Sequence, residues 1–297
     1  MKILVSGANG QLGKEITRIL DTGFAEIGEI PYILKNAEII KADIDDLDIT
    51  DIKNTISFVE NIRPQVIINC SAFTNVDLCE TERDTAFKVN SLGPRNLAIA
   101  AQKVNAKLIH ISTDYVFNGD GNEPYCEYDS CNPQSIYGKT KYLGEQYVRE
   151  FCPKYFIVRT SWLYGYEGNN FLKTIMKLAK EKESIKVVND QRGNPTNAND
   201  LAYHILKLID SNEYGIYHCT GSGECSWYDF ACKIVEYANI SCEVVPCTTS
   251  EFPRPAKRPS YSSLDNMMLR NTIEDEMRLW QDALRNFIKN YEGVNRI

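Results

Sequence analysis

The stretch Gly7-Ala8-Asn9-Gly10-Gln11-Leu12-Gly13 follows directly on the apolar run Ile3-Leu4-Val5 and passes into residues at helical spacing from about Gln11. Few folds place a glycine at every third position between a strand and a helix. One glycine permits the tight turn, the next lets the backbone approach a pyrophosphate, and the last lets the helix pack closely on the strand. Amides at the helix N-terminus, at the positive end of its dipole, then face the phosphates. A P-loop is the rival reading, because Gly13-Lys14 resembles its ending. That motif requires Gly where Ala8 stands and Ser or Thr where Glu15 stands. The other alternative is a strand-to-helix turn that binds nothing.

Short β-branched runs at 3–6, 39–41, 66–69, 108–112 and 156–159 alternate with longer stretches, such as 51–62 and 85–103, whose apolar residues recur at helical spacing. This rhythm predicts βαβ units, with right-handed crossovers that put helices on both faces of a parallel sheet. The fold class is therefore α/β: a Rossmann-type doubly wound parallel sheet with a smaller C-terminal substrate-binding lobe. After about Gly165 the rhythm gives way to Gly and Asn loops, a basic helix at 171–182 and a Pro-rich stretch at 253–259. Strand candidates at 185–188 and 215–219 extend the first sheet in this reading. The dinucleotide-binding domain then covers 1–164 with 185–220 returning to it, and the second lobe covers 165–184 and 221–297. Met277, Trp280, Leu284, Phe287 and Tyr291 form the packing stripe of a closing amphipathic helix.

Composition narrows the function. A net charge of −7 and a pI near 5.2 argue against a general grip on nucleic acid, which needs a concentrated basic surface. No apolar stretch reaches the roughly 20 residues of a bilayer span, and Met1 leads into Lys2-Ile3-Leu4-Val5 rather than a charged segment with a long apolar region. No membrane association and a cytoplasmic location are the expectations. The 10 cysteines form no C-x-x-C pair and have no His at metal-finger spacing, so they read as reduced thiols, with no metal site assigned.

Tyr137-Gly138-Lys139-Thr140-Lys141 has Tyr and Lys four apart, on one face of a helix that begins after Asn132-Pro133. A phenol with a pKa near 10 relays protons poorly at neutral pH, and a neighbouring ammonium lowers that value. By itself the pair also fits a surface helix. Its weight comes from Ser112-Thr113-Asp114-Tyr115-Val116-Phe117, at the C-terminal end of a central strand, where ligands of open parallel sheets bind. A hydroxyl that orients a carbonyl, a Tyr that delivers the proton and a cofactor that supplies hydride make a keto-reduction site. Asp114 and Tyr115 fit either that site or a loop cap and a packed ring.

Together with Asn69-Cys70-Ser71-Ala72-Phe73-Thr74-Asn75-Val76-Asp77, these segments resemble the extended short-chain dehydrogenase/reductases and, within them, the dTDP-4-dehydrorhamnose reductase family. Arg159-Thr160-Ser161-Trp162-Leu163-Tyr164, Gly168-Asn169-Asn170-Phe171, Asp190-Gln191, Gly193, Pro195-Thr196, Trp227-Tyr228 and Arg254-Pro255-Ala256-Lys257-Arg258-Pro259 continue the match in order. The resemblance implies reduction of the C4 ketone of dTDP-4-dehydro-β-L-rhamnose with NADPH or NADH, the last step of dTDP-L-rhamnose biosynthesis. It implies Thr113, Tyr137 and Lys141 as the catalytic set. Gly7, Asn9, Gly10, Gln11, Leu12, Gly13, Asp43, Asp48, Ile49, Ser71, Ala72 and Thr74 hold the cofactor, with Tyr137 and Lys141 at its nicotinamide end. Asp114, Tyr115, Trp162, Arg254 and Arg258 meet the dTDP-linked deoxysugar, the two arginines at its diphosphate. A homodimer, and a divalent metal between subunits, stay open. The alternatives are a reductase or epimerase of another nucleotide-linked sugar, or a non-catalytic regulatory subunit of the kind associated with methionine adenosyltransferase; the intact catalytic set favours an enzyme. Asp43 lies about 30 residues beyond the glycine run, where about 20 is usual. An acid there favours NADH, and Lys35 or Lys41 is the alternative cation for a 2′-phosphate.

Overall fold

The computed structural model describes residues 1–294, with side chains described through Tyr291. Its first half runs β1 (Lys2–Ser6), α1 (Gln11–Thr22), β2 (Glu38–Ala42), α2 (Ile52–Ile62), β3 (Val66–Asn69), α3 (Gly93–Val104), β4 (Lys107–Thr113), α4 (Ile136–Phe151) and β5 (Tyr155–Thr160). The second half contributes α5 (Phe171–Glu181), β6 (Ser184–Val188), α6 (Ala198–Asp210), β7 (Gly215–His218), α7 (Trp227–Tyr237), β8 (Glu243–Cys247) and α8 (Trp280–Val294). Six parallel strands form the central sheet in the order β7-β5-β4-β3-β1-β2. The chain leaves β1 for β2 on one side and returns to β3 on the other, so the switch point lies between β1 and β3. Ligands of such Rossmann-type sheets sit in the crevice this reversal opens.

Side-chain alternation along the strands explains why both faces are covered. Ile3 and Val5 pack with Leu12 and Ile16 of α1 and Leu201 and Ile205 of α6. Leu4, Ile67 and Leu108 point the other way, onto Val59, Leu97 and Val148 of α2, α3 and α4. Strands buried on both faces read as continuous apolar runs, as β1 and β3 do.

A separate core gathers Leu172, Ile175, Phe230, Leu284 and Phe287 with Ile185 and Val187 of β6. Here the expectation for 185–188 is corrected: β6 pairs in parallel with β8, and β7 alone extends the main sheet beyond β5. The reason is visible in its pattern. Ile185 and Val187 are buried while Ser184 and Lys186 are exposed, which suits a strand with one covered face. Met277 is a second correction, because it precedes α8 and packs in the first core. The expected helix at 85–103 is interrupted by a π-helical turn, Lys88–Leu92. The long segment before β2 holds a small hairpin, Phe24–Ala25 with Gly28–Glu29. At its tip Glu26 accepts hydrogen bonds from Tyr166 (2.8 Å), Arg278 (2.9 Å) and Asn286 (2.8 Å), tying the hairpin to the second core. Among the described residues no helix is long and apolar enough to cross a membrane.

Candidate active site

The glycine loop leaves β1 with Gly7 at φ +69°, a backbone conformation L side chains rarely adopt. A Cβ on Gly7 would lie 2.7 Å from the Ser71 nitrogen, so the loops after β1 and β3 meet backbone to backbone. Gly13 is equally constrained, since its Cβ would fall 2.2 Å from the Gly7 carbonyl oxygen. Side chains of Asp51, Ser135, Asn170, Asn197 and Ser226 cap α2, α4, α5, α6 and α7. The N-cap of α1 is Gly10, with no side-chain hydrogen bond and no acid in the first turn. Uncapped amides at the positive end of a helix beside a glycine cradle fit a dinucleotide pyrophosphate.

Two adjoining cavities share Gly10, Cys70 and Ala72. The larger, about 670 Å³, contains Gly7, Asn9, Asp43, Asp48, Ile49 and Ser71 in its wall. Asp43 accepts hydrogen bonds from the amides of Asn9 (2.9 Å) and Ile44 (2.8 Å), so the acid at the end of β2 braces the glycine loop. Lys35 and Lys41 are paired with Glu29 and Asp21 and do not reach this cavity; Lys88 does.

The smaller cavity, about 470 Å³, brings together Gln11, Leu12, Gly13, Thr74, Thr113, Asp114, Tyr115, Tyr137, Lys141, Trp162 and Arg258. Ser135 caps α4 by accepting from the Gly138 amide at 3.1 Å, which fixes where Tyr137 and Lys141 enter the cleft. Tyr137 is in hydrogen-bond contact with Thr113, whose Oγ1 donates to Asp114 Oδ1 at 2.9 Å. Burial pushes the Tyr137 phenol well above its usual range, and Thr113 pulls the other way. This departs from the expectation that Lys141 lowers it. The Lys141 ammonium instead donates to the Ile111 carbonyl at 2.6 Å, and burial pushes Lys141 down to about 8. A phenol that keeps its proton is the form a reduction needs, since the developing alkoxide must be protonated.

Beyond this set, burial pushes Asp114 up to about 6, against hydrogen bonds from Ser262 and Thr113 that pull the other way. Tyr115 packs edge-on against Tyr137 at 5.6 Å and accepts from Arg258 at 2.9 Å. Arg258 also pairs with Asp77 at 3.1 Å. Arg254 is outside both cavities, beside the Phe252 ring and 4.0 Å from Asp77. Trp162 has φ +46°, a conformation that costs a bulky residue on the order of 1–3 kcal/mol and clusters at functional sites. It stacks on Trp227 at 3.5 Å, so the wall is a pair of indoles with one face of each covered. Trp227, Asn169 and Ser161 in the smaller cavity, and Leu47, Lys88 and Val89 in the larger, were not singled out as site residues from the sequence. Trp227, Asn169 and Ser161 lie within the matched segments, whereas Lys88 and Val89 read as ordinary helix in the sequence and sit on the π-helical turn that borders the cavity.

The model of the RmlD substrate binding domain matches residues 1–292. A crystal structure of a dTDP-4-dehydrorhamnose reductase from Clostridium acetobutylicum superposes with a TM-score of 0.93 at 51% identity, covering 98% of this chain and 100% of its own. The dTDP-4-dehydrorhamnose reductase of Bacillus anthracis, solved in complex with NADP, gives 0.91 at 46% identity over 97% of this chain and 99% of its own. A dTDP-4-dehydrorhamnose reductase of Aggregatibacter actinomycetemcomitans is 38% identical over 96% of this chain and 97% of its own length. The chain therefore belongs to the RmlD family, the dTDP-4-dehydrorhamnose reductases of the extended short-chain dehydrogenase/reductase superfamily.

Proposed function

We propose that this chain reduces the C4 ketone of dTDP-4-dehydro-β-L-rhamnose to dTDP-β-L-rhamnose in the cytoplasm, using NADPH or NADH. The observation that carries the reading is the convergence of Thr113, Tyr137 and Lys141 in one cavity with Trp162 and Arg258, beside the uncapped glycine loop. When bound, the nicotinamide supplies hydride to C4. Thr113 orients the ketone oxygen, and Tyr137 gives that oxygen its proton as the carbonyl electrons move onto it. Lys141 steadies the phenolate left behind and holds the nicotinamide ribose. Tyr115 and Asp114 flank the sugar, Trp162 lines its apolar side and Arg258 meets the diphosphate, exchanging Asp77 for phosphate oxygens. Arg254 acts from the rim. Asp43 reads the adenosine ribose, so NADH serves at least as well as NADPH. The test is turnover against a panel of nucleotide-linked 4-ketosugars: the thymidine-diphosphate 6-deoxy substrate gives the highest kcat/KM. A higher value for a uridine- or guanosine-linked ketosugar would refute the substrate assignment.

A further inference from the structure

Below the catalytic set lies a charged network that the reaction as described leaves unused. Glu145, one helical turn beyond Lys141 on α4, is 1% exposed, and Lys141 and Arg159 are 2% exposed. Glu145 Oε1 accepts from Ser112 Oγ at 2.5 Å and from Arg159 Nε at 3.0 Å, and its Oε2 accepts from Arg159 Nη2 at 2.8 Å. Ser112 is the neighbour of Thr113, so one carboxylate touches the strand end that bears the catalytic hydroxyl and shares a helix face with the catalytic lysine.

We propose that Glu145 is a positioning residue of the reduction, whose carboxylate keeps the buried Lys141 ammonium charged and fixes Ser112 beneath Thr113. This rests on the role given to Lys141 above. An isolated buried ammonium is costly, and among the described residues Glu145 is the carboxylate whose charge acts on Lys141. Tyr137 and Glu145 share its helix; Cys70 faces it from the loop after β3 and His110 from β4, Asp114 lines the same cavity, and Arg159 of β5 and His218 of β7 lie beyond Glu145. Cys70 is held as a thiol and His110 as a neutral ring by burial. Arg159 bonds both oxygens of the Glu145 carboxylate, yet Glu145, the nearer member of the pair along the helix, still raises the lysine against its burial.

The experiment is the pH profile of kcat/KM for wild type, Glu145→Gln, the pair Glu145→Gln/Arg159→Met, and Lys141→Arg, each checked for folding by circular dichroism. Wild type should lose activity along an alkaline limb as Lys141 deprotonates. Glu145→Gln should move that limb toward acid by about one pH unit or more, the usual scale for loss of one nearby opposite charge. The pair variant removes the uncompensated guanidinium, so it keeps the proposal testable if Glu145→Gln alone misfolds; its limb also moves toward acid. Lower kcat with an unmoved limb in a folded Glu145 variant would overturn the proposal and leave Glu145 as scaffold. A limb that persists unchanged in Lys141→Arg would instead overturn the reading of Lys141.

Discussion

At the scale of single residues, the reduction turns on which protons and charges are held ready. Tyr137→Phe removes the proton donor but little packing, so kcat should fall by a factor on the order of 10²–10⁴ while cofactor binding persists. Steady-state kinetics with a fluorescence titration of NADPH would check both halves, and near-normal turnover would remove Tyr137 from the mechanism. Asp43→Ala tests the other end of the cleft: it should lower kcat/KM for NADH more than for NADPH. A strong wild-type preference for NADPH that the substitution leaves unchanged would show that Asp43 does not read the ribose. Residues of this kind were legible because their chemistry is tied to short spacings, four positions from Tyr137 to Lys141. What these groups touch was not legible. Lys141 bonds Ile111, Arg258 pairs with Asp77 and Trp162 stacks on Trp227, contacts that only the assembled sheet and loops create.

Among the elements, the turn from β1 into α1 makes the strictest demand. In Gly13→Ala the new methyl would meet the Gly7 carbonyl oxygen and the Ala8 Cα, 2.8 Å away, and backbone atoms have nowhere to go. Overpacking of this kind costs about 1–3 kcal/mol, and the displaced α1 terminus should also lose most of its affinity for the dinucleotide. Gly10→Ala is the control for packing alone, because its Cβ would approach only the Gly7 oxygen, at 3.2 Å, although its methyl still stands where the backbone meets the pyrophosphate. Thermal melts on the two variants would separate them; equal Tm values would mean that the loop yields more than its geometry implies. The central strands were readable from the sequence because burial on both faces leaves continuous apolar runs. Strand β6 was misassigned because its run at 185–188 is short, and only the alternation of buried and exposed residues marks the single covered face.

In the whole molecule, buried histidines make stability depend on pH. Burial and the adjacent Arg159 push His218 down to about 3, and burial lowers His110 and His204 as well. The folded protein keeps these rings neutral while the unfolded chain protonates them below about 6.5, so the unfolded state binds more protons. Each therefore withdraws stability as pH falls through that value, His218 by about 2 kcal/mol at pH 5. Asp114, raised to about 6, offsets part of this between roughly pH 6 and 4, since there the folded state holds the extra proton. Urea unfolding of wild type and His218→Gln at pH 7 and pH 5 isolates the His218 part: the free-energy difference between them should shift by about 2 kcal/mol in favour of the variant at the lower pH, and no shift would contradict the assignment. The order of motifs along the chain made the overall architecture readable, but the tie between hairpin and second core through Glu26 and Arg278 was not, because its partners are separated by most of the chain. The most direct test of the central claim is to supply dTDP-4-dehydro-β-L-rhamnose with NADPH carrying transferable deuterium at the nicotinamide C4 and to examine the sugar by NMR. The expected product is dTDP-β-L-rhamnose with one deuterium, at C4 of the sugar; an unlabelled epimer, or label at another carbon, would contradict the assignment.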